Sequence, residues 1–86
     1  MKTVLLAYER DQVLAAVESV MQSHGHRVLK AKTGIEALDV VRNQNPDALV
    51  SDVMLPRLDG FALCRRLRED PAFVHLPVTG QRHGCL

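Results

Sequence analysis

The chain has 86 residues, a length that allows one small domain with little stability to spare, because short chains bury a smaller share of their surface. Lys+Arg 11 against Asp+Glu 10 is close to neutral, which excludes a nucleic-acid or anionic-membrane surface held by bulk electrostatics. Two cysteines, Cys64 and Cys85, are too few and too far apart for a disulfide framework or a zinc pattern and suit a reducing cytoplasm.

Apolar runs of strand length alternate with segments of helical period, the pattern of successive βαβ units around a parallel sheet. Thr3-Val4-Leu5-Leu6-Ala7 is too short for the apolar region of a signal peptide or for a membrane span, and reads as a buried first strand. Asp11 is the expected N-cap of a first helix whose core face is Val13, Val17, Val20 and Met21, with Leu14 on its flank. Gly25 ends that helix at C′, where a left-handed backbone needs no side chain. His26 to Ala31 is the second strand, alternating enough to lie at an edge. Thr33 caps a second helix that turns Ile35, Leu38 and Val41 inward, and Asn45-Pro46 stops it. Asp47 to Asp52 is the third strand. Asp59 caps a third helix through Phe61, Cys64 and Leu67, ending near Asp70-Pro71. Leu76-Pro77-Val78 starts a fourth strand, but the polar, glycine-bearing stretch after it does not read as a finished domain. Arg65, Arg66 and Arg68, followed by Glu69 and Asp70, read as a solvated helix face. His24, His26, His75 and His83 lack metal-ligand spacing and suit turn and surface roles.

Asp52 is the residue these elements single out. It ends an apolar strand, and in open α/β sheets chemistry gathers beyond the carboxyl ends of the strands. A carboxylate there can bind a divalent cation and attack a phosphoryl group. First and third strands can be neighbours in such a sheet, which would bring Glu9 beside Asp52. A cation bridging Glu9, Asp52 and a main-chain carbonyl after Asp52 is then sterically reasonable. The plainer alternatives are a solvated strand-end acid or loop cap for Asp52, an exposed loop acid for Glu9, and a partly buried spacer for Tyr8, which could also block the pocket.

The run Asp52-Val53-Met54-Leu55-Pro56-Arg57-Leu58-Asp59-Gly60, followed by Phe61-Ala62-Leu63-Cys64-Arg65-Arg66-Leu67-Arg68, resembles the phosphoacceptor segment of response regulator receiver domains. Lys32-Thr33-Gly34-Ile35-Glu36-Ala37-Leu38 and Pro46 to Asp52 resemble the second helix and third strand of the same family, so the likeness runs from Thr3 to about Val78. It implies an α/β, flavodoxin-like, doubly wound parallel sheet in three α/β/α layers with strand order 2-1-3-4-5. Here that sheet would stop after the third helix or fourth strand, so residues 1–86 form one receiver-like domain, incomplete at its C-terminus. The resemblance further implies that Asp52 accepts a phosphoryl group from a histidine kinase or phosphotransfer protein, with Mg2+ held by Asp52, Glu9 and the main-chain carbonyl of Met54. Asp59 and Gly60 would shape the loop into the third helix and Pro56 would stiffen it.

Two departures bear on activity. The family places two adjacent acids after the first strand, and the corresponding residues here are Tyr8 and Glu9. It also places a small hydroxyl residue at the end of the fourth strand and a lysine at the end of the fifth; Thr79 comes soon after Pro77, and the chain stops before that lysine. The expected role is a phosphoacceptor module of a two-component phosphorelay, cytoplasmic and not an enzyme. The alternative is a degenerate receiver-like module that binds a partner without being phosphorylated. An aspartyl phosphohydrolase would usually carry a second acid two residues after the nucleophile, where this chain has Met54. No glycine-rich phosphate loop supports nucleotide binding, and neither DNA nor a membrane is an expected partner. An uncovered sheet edge makes a homo-oligomer possible.

Overall fold

The computed structural model describes residues 2–52, 57–58, 60–74 and 76–79, with 60, 61 and 79 by backbone alone. In chain order the elements are β1 (Thr3–Ala7), α1 (Asp11–Ser23), β2 (Arg27–Ala31), α2 (Gly34–Gln44), β3 (Ala48–Ser51), α3 (Gly60–Arg68) and β4 (Val78–Thr79). The strands form one parallel sheet in the order β2-β1-β3-β4. β1 is central and covered on both faces, which is why Val4, Leu5, Leu6 and Ala7 are all buried and why its sequence is continuously apolar. Leu5 and Ala7 join Leu49 and Ala31 against Ala37, Leu38 and Val41 of α2 and Leu63 and Leu67 of α3. Val4, Leu6 and Tyr8 point the other way, packing with Leu14, Val17 and Met21 of α1 and with Val28 and Val50. The sheet is thus doubly wound, with α1 on one face and α2 and α3 on the other.

After β1 the chain first pairs β2 on one side and then returns to pair β3 on the other. The direction of winding reverses between β1 and β3, and the crevice outside their carboxyl ends is the topological switch point where such sheets bind ligands.

The first helix differs from its sequence expectation in two respects. Its N-cap is Arg10, which makes no side-chain capping bond, and Asp11 is instead the first helical residue. There its carboxylate faces the positive end of the helix dipole and pairs with Lys32 at 2.5 Å. The buried stripe is Leu14, Val17 and Met21, whereas Val13 and Val20 are 38% and 53% exposed. Val13-Leu14-Ala15-Ala16-Val17 is apolar all the way round, so periodicity alone does not set the helix's rotation; packing on β1 and β2 does. Gly25 behaves as expected: at φ 82 it allows its own N–H to reach the carbonyl of Gln22 (2.9 Å) and the N–H of His26 to reach that of Met21 (3.1 Å), a Schellman ending.

Thr33 caps α2 as expected, its Oγ1 accepting the N–H of Glu36 at 3.0 Å, and Glu36 Oε1 reaches back to accept the N–H of Lys32 at 2.6 Å. Leu38 and Val41 are buried, but Ile35, expected inside, is 44% exposed. The first turn of α2 makes its inward contact through Gly34, in line with Leu38 and Val41, and Ile35 is rotated about 100° from that line. Asn45 takes the left-handed conformation at φ 49, and Asp47 then ties the chain to β1, its N–H donating to Thr3 O and its Oδ2 accepting from Thr3 N–H, both at 2.7 Å. Among the described side chains of α3, Leu63, Cys64 and Leu67 are buried. Arg68 is not part of a purely solvated face: its guanidinium donates to the carbonyls of Phe73 and Val74 at 3.2 and 3.0 Å, pinning the turn that leads to β4. β4 pairs with β3 through Leu49↔Val78 and Val50↔Thr79.

Candidate functional site

The β1–β3 ladder aligns Ala7 with Ser51, and the Asp52 N–H continues it by donating to Ala7 O at 2.9 Å. The next aligned pair is therefore Tyr8 and Asp52. Side chains of register partners lie on the same face of a parallel sheet and alternate along each strand. Tyr8 packs with Leu6 and Val50 on the α1 face, so Asp52, two residues after Val50, lies on that face too, one strand spacing of about 4.8 Å from Tyr8. The electrostatics agree. The Tyr8 phenol is held above its ordinary range first by burial and then by the negative charge of Asp52.

Each residue of the crevice is anchored differently. The Tyr8 N–H donates to Ala31 O of β2 at 3.0 Å, and the residue is 7% exposed. Ser51 is buried on the opposite face, and its hydroxyl donates to the carbonyl of Asp52 at 3.0 Å, fixing the peptide that follows the carboxylate. Asp52 is half-buried, while Glu9 is exposed in the bend between β1 and α1. Among the described residues these are the two carboxylates that directly follow β1 and β3. A hard cation such as Mg2+ takes one or two carboxylates and keeps several waters, so the donor chemistry suits it. Among the described residues no three His, Cys, Asp or Glu side chains gather around one metal position. Met54, expected to lend a carbonyl, and Pro56 and Asp59, expected to shape the loop, lie outside the described residues, as does the side chain of Thr79.

Sequence reasoning missed how α2 buttresses the loop beyond Asp52. A Cβ on Gly34 would collide with Leu58, overlapping its carbonyl oxygen and lying 2.5 Å from its carbonyl carbon and 2.6 Å from its Cβ. The available signal was the glycine itself, placed directly after the capping Thr33 where helix propensity gives no reason for it. The loop residue before Leu58, Arg57, has φ 70, in the left-handed region that side-chain-bearing residues rarely occupy.

Comparison with known proteins agrees with this architecture. Residues 4–82 match the family model described as the response regulator receiver domain. The chain is 44% identical over 68 residues to the transcriptional regulatory protein AfsQ1 of Streptomyces coelicolor, covering 79% of this chain and 30% of that protein. It is 49% identical over 61 residues to the response regulator MprA of Mycobacterium tuberculosis, covering 67% of this chain and 26% of that protein. The chain thus spans under a third of these relatives. Among solved structures, the receiver domain of sensor histidine kinase PA1611 from Pseudomonas aeruginosa, described with a magnesium ion in its active-site cleft, superposes with a TM-score of 0.89 at 26% identity over 98% of this chain and 75% of that one. The chemotaxis response regulator CheY4 of Vibrio cholerae gives 0.89 at 26% identity, covering 93% and 67%. No helix among the described residues is long and apolar enough to cross a membrane. With its flavodoxin-like sheet, its strand order and a family match over most of its length, the chain belongs to the response regulator receiver domains.

Proposed function

We propose that the chain is a phosphoacceptor module of a two-component phosphorelay, taking a phosphoryl group on the Asp52 carboxylate from a histidine kinase or phosphotransfer protein, with Mg2+ held by Asp52, Glu9 and the main-chain carbonyl of Met54. The observation that carries this reading is the in-register β1–β3 pairing, which sets Asp52 at the switch point of the sheet with its N–H bonded to Ala7. One carboxylate oxygen of Asp52 attacks the phosphorus while the donor's bond to phosphorus breaks and its electron pair leaves with the donor group. The bonds from Ser51 and Ala7 hold the Asp52 backbone during that approach, so little ordering is left to the moment of reaction. Bound Mg2+ would screen the phosphoryl oxygens from the anionic nucleophile.

A second reading, a receiver-like module that binds a partner without phosphorylation, is favoured by the buried Tyr8 beside Asp52. Incubation with acetyl phosphate and Mg2+ followed by intact-mass measurement separates the two. The phosphoacceptor reading expects one added phosphoryl group on the wild type and none on Asp52→Ala. An unmodified wild type supports the binding module, and an adduct that survives in Asp52→Ala misplaces the site.

A further inference from the structure

We propose that Ser51 is a positioning residue for the Asp52 carboxylate: its buried hydroxyl holds the peptide that follows Asp52 and so fixes the direction in which the nucleophile leaves the sheet. The inference rests on the phosphoacceptor reading of Asp52.

Ser51 is a polar residue in an apolar place. Within β3, Leu49 and Ser51 point to the same face, the one that packs Leu49 against Leu63 and Leu67 of α3 and against α2. Leu49 is fully buried, and Ser51, at 3% exposure, is the one buried polar side chain among the described residues. Its aligned neighbour on β1 is Ala7, also buried, so a small apolar side chain would satisfy the packing at position 51. A hydroxyl taken out of water without a partner is destabilising. Here the Oγ donates to the Asp52 carbonyl at 3.0 Å, which directs the bond of this core residue at the residue that carries the chemistry.

β3 ends at Ser51, which makes Asp52 the first residue beyond the strand. Its N–H is held by Ala7 O at 2.9 Å and its carbonyl by Ser51. The first bond orients the planar peptide before the Asp52 Cα and the second orients the one after it. Together they set the two backbone angles of Asp52 and hence the direction of its Cα–Cβ bond, from which the carboxylate hangs. A nucleophile aligned in this way needs only side-chain rotation to meet phosphorus, and rates fall steeply when a reacting group is misplaced. The loss of one neutral hydrogen bond corresponds to a factor of roughly 3 to 10. Stability should change less, because alanine also removes the buried hydroxyl and because Asp52 is half-buried, where water can replace the lost donor.

The test follows phosphoryl uptake from acetyl phosphate with Mg2+ over time by intact mass, well below the melting temperature so that every variant is folded. In this reaction the Asp52 carboxylate displaces acetate from phosphorus, adding one phosphoryl group. Ser51→Ala should take up the group roughly 3- to 10-fold more slowly than wild type, with a melting temperature within about 4 °C of it. Ser51→Cys, close in size and a weaker donor, should fall between the two. A spectroscopic signature goes with the rate: by NMR, the Asp52 carbonyl carbon resonance should move upfield in folded Ser51→Ala by more than the same substitution moves it in urea. Uptake by Ser51→Ala at the wild-type rate, or slower uptake with the Asp52 carbonyl resonance unmoved, overturns the proposal. So does a melting temperature that drops well beyond that margin in both variants, which makes Ser51 a packing residue. A wild type that acquires no phosphoryl group refutes the phosphoacceptor reading itself, and the role of Ser51 falls with it; a labelled wild type with an equally fast Ser51→Ala refutes the role of Ser51 alone.

Discussion

Replacing Gly34 with alanine tests whether α2 positions the loop that follows Asp52. The new methyl group would overlap the Leu58 carbonyl oxygen and sit 2.5 Å from its carbonyl carbon and 2.6 Å from its Cβ, where ordinary contact needs about 3.4 Å or more. Two of these three atoms are backbone, so no rotamer change relieves the clash, and the helix or the segment carrying Leu58 must shift by well over 1 Å. Arg57, next to Leu58, already occupies a positive φ. Overpacking of this kind costs roughly 1–3 kcal/mol, while alanine in place of glycine returns up to about 1 kcal/mol of helix propensity. That return is smaller in a first turn, whose N–H groups are not bonded within the helix. The net is a loss of about 1–2 kcal/mol, equivalent to a fall in Tm of roughly 5 to 15 °C for a chain of this size. Thermal unfolding followed by circular dichroism at 222 nm measures it, and phosphoryl uptake from acetyl phosphate should fall in parallel because the displaced loop follows Asp52. A Tm equal to or above that of wild type would mean propensity outweighs the clash, and the buttressing role of Gly34 would be wrong.

Thr33→Ala should destabilise the chain by about 1 kcal/mol, the usual worth of an N-cap oxygen, with Thr33→Ser retaining most of it; urea titrations of the two variants give the comparison. Leu63→Ala empties a fully buried position at about 2–5 kcal/mol, a large part of a total on the order of 5–10 kcal/mol, so its unfolding midpoint should drop by a third or more. The raised pKa of Tyr8 sets a pH dependence whose sign is fixed: the phenol's contribution is complete below the ordinary tyrosine value of 10.0 and is lost as pH rises through the higher value of the folded state. Urea unfolding at pH 8 and pH 11 should therefore show a larger loss for wild type than for Tyr8→Phe. Equal losses would mean that the phenol is not shielded.

Much of the architecture was legible because it depends on local chemistry. The continuous apolar run of β1 can only belong to a covered central strand, Gly25 and Thr33 mark helix ends through backbone conformation and capping geometry, and Asp52 stands out as an acid at the end of an apolar strand. The likeness around Asp52 extended this to the family and the strand order. What failed did so where local pattern is ambiguous. The rotation of α1 could not be read from Val13-Leu14-Ala15-Ala16-Val17, because a segment apolar on every side has no phase of its own. Ile35 looked like a core residue because its exposure depends on Gly34 meeting Leu58, a contact between segments far apart in sequence.

The amino-acid order thus determined which segments become strands and helices and which carboxylate ends β3, since those follow from side-chain period, caps and turns within a few residues. Tertiary structure alone decided that β1 and β3 pair in the register that aligns Tyr8 with Asp52, and that α2 presses on the loop beyond it. Such relations are set by how whole faces pack against each other, and a one-residue change of strand register would have turned Asp52 to the opposite face.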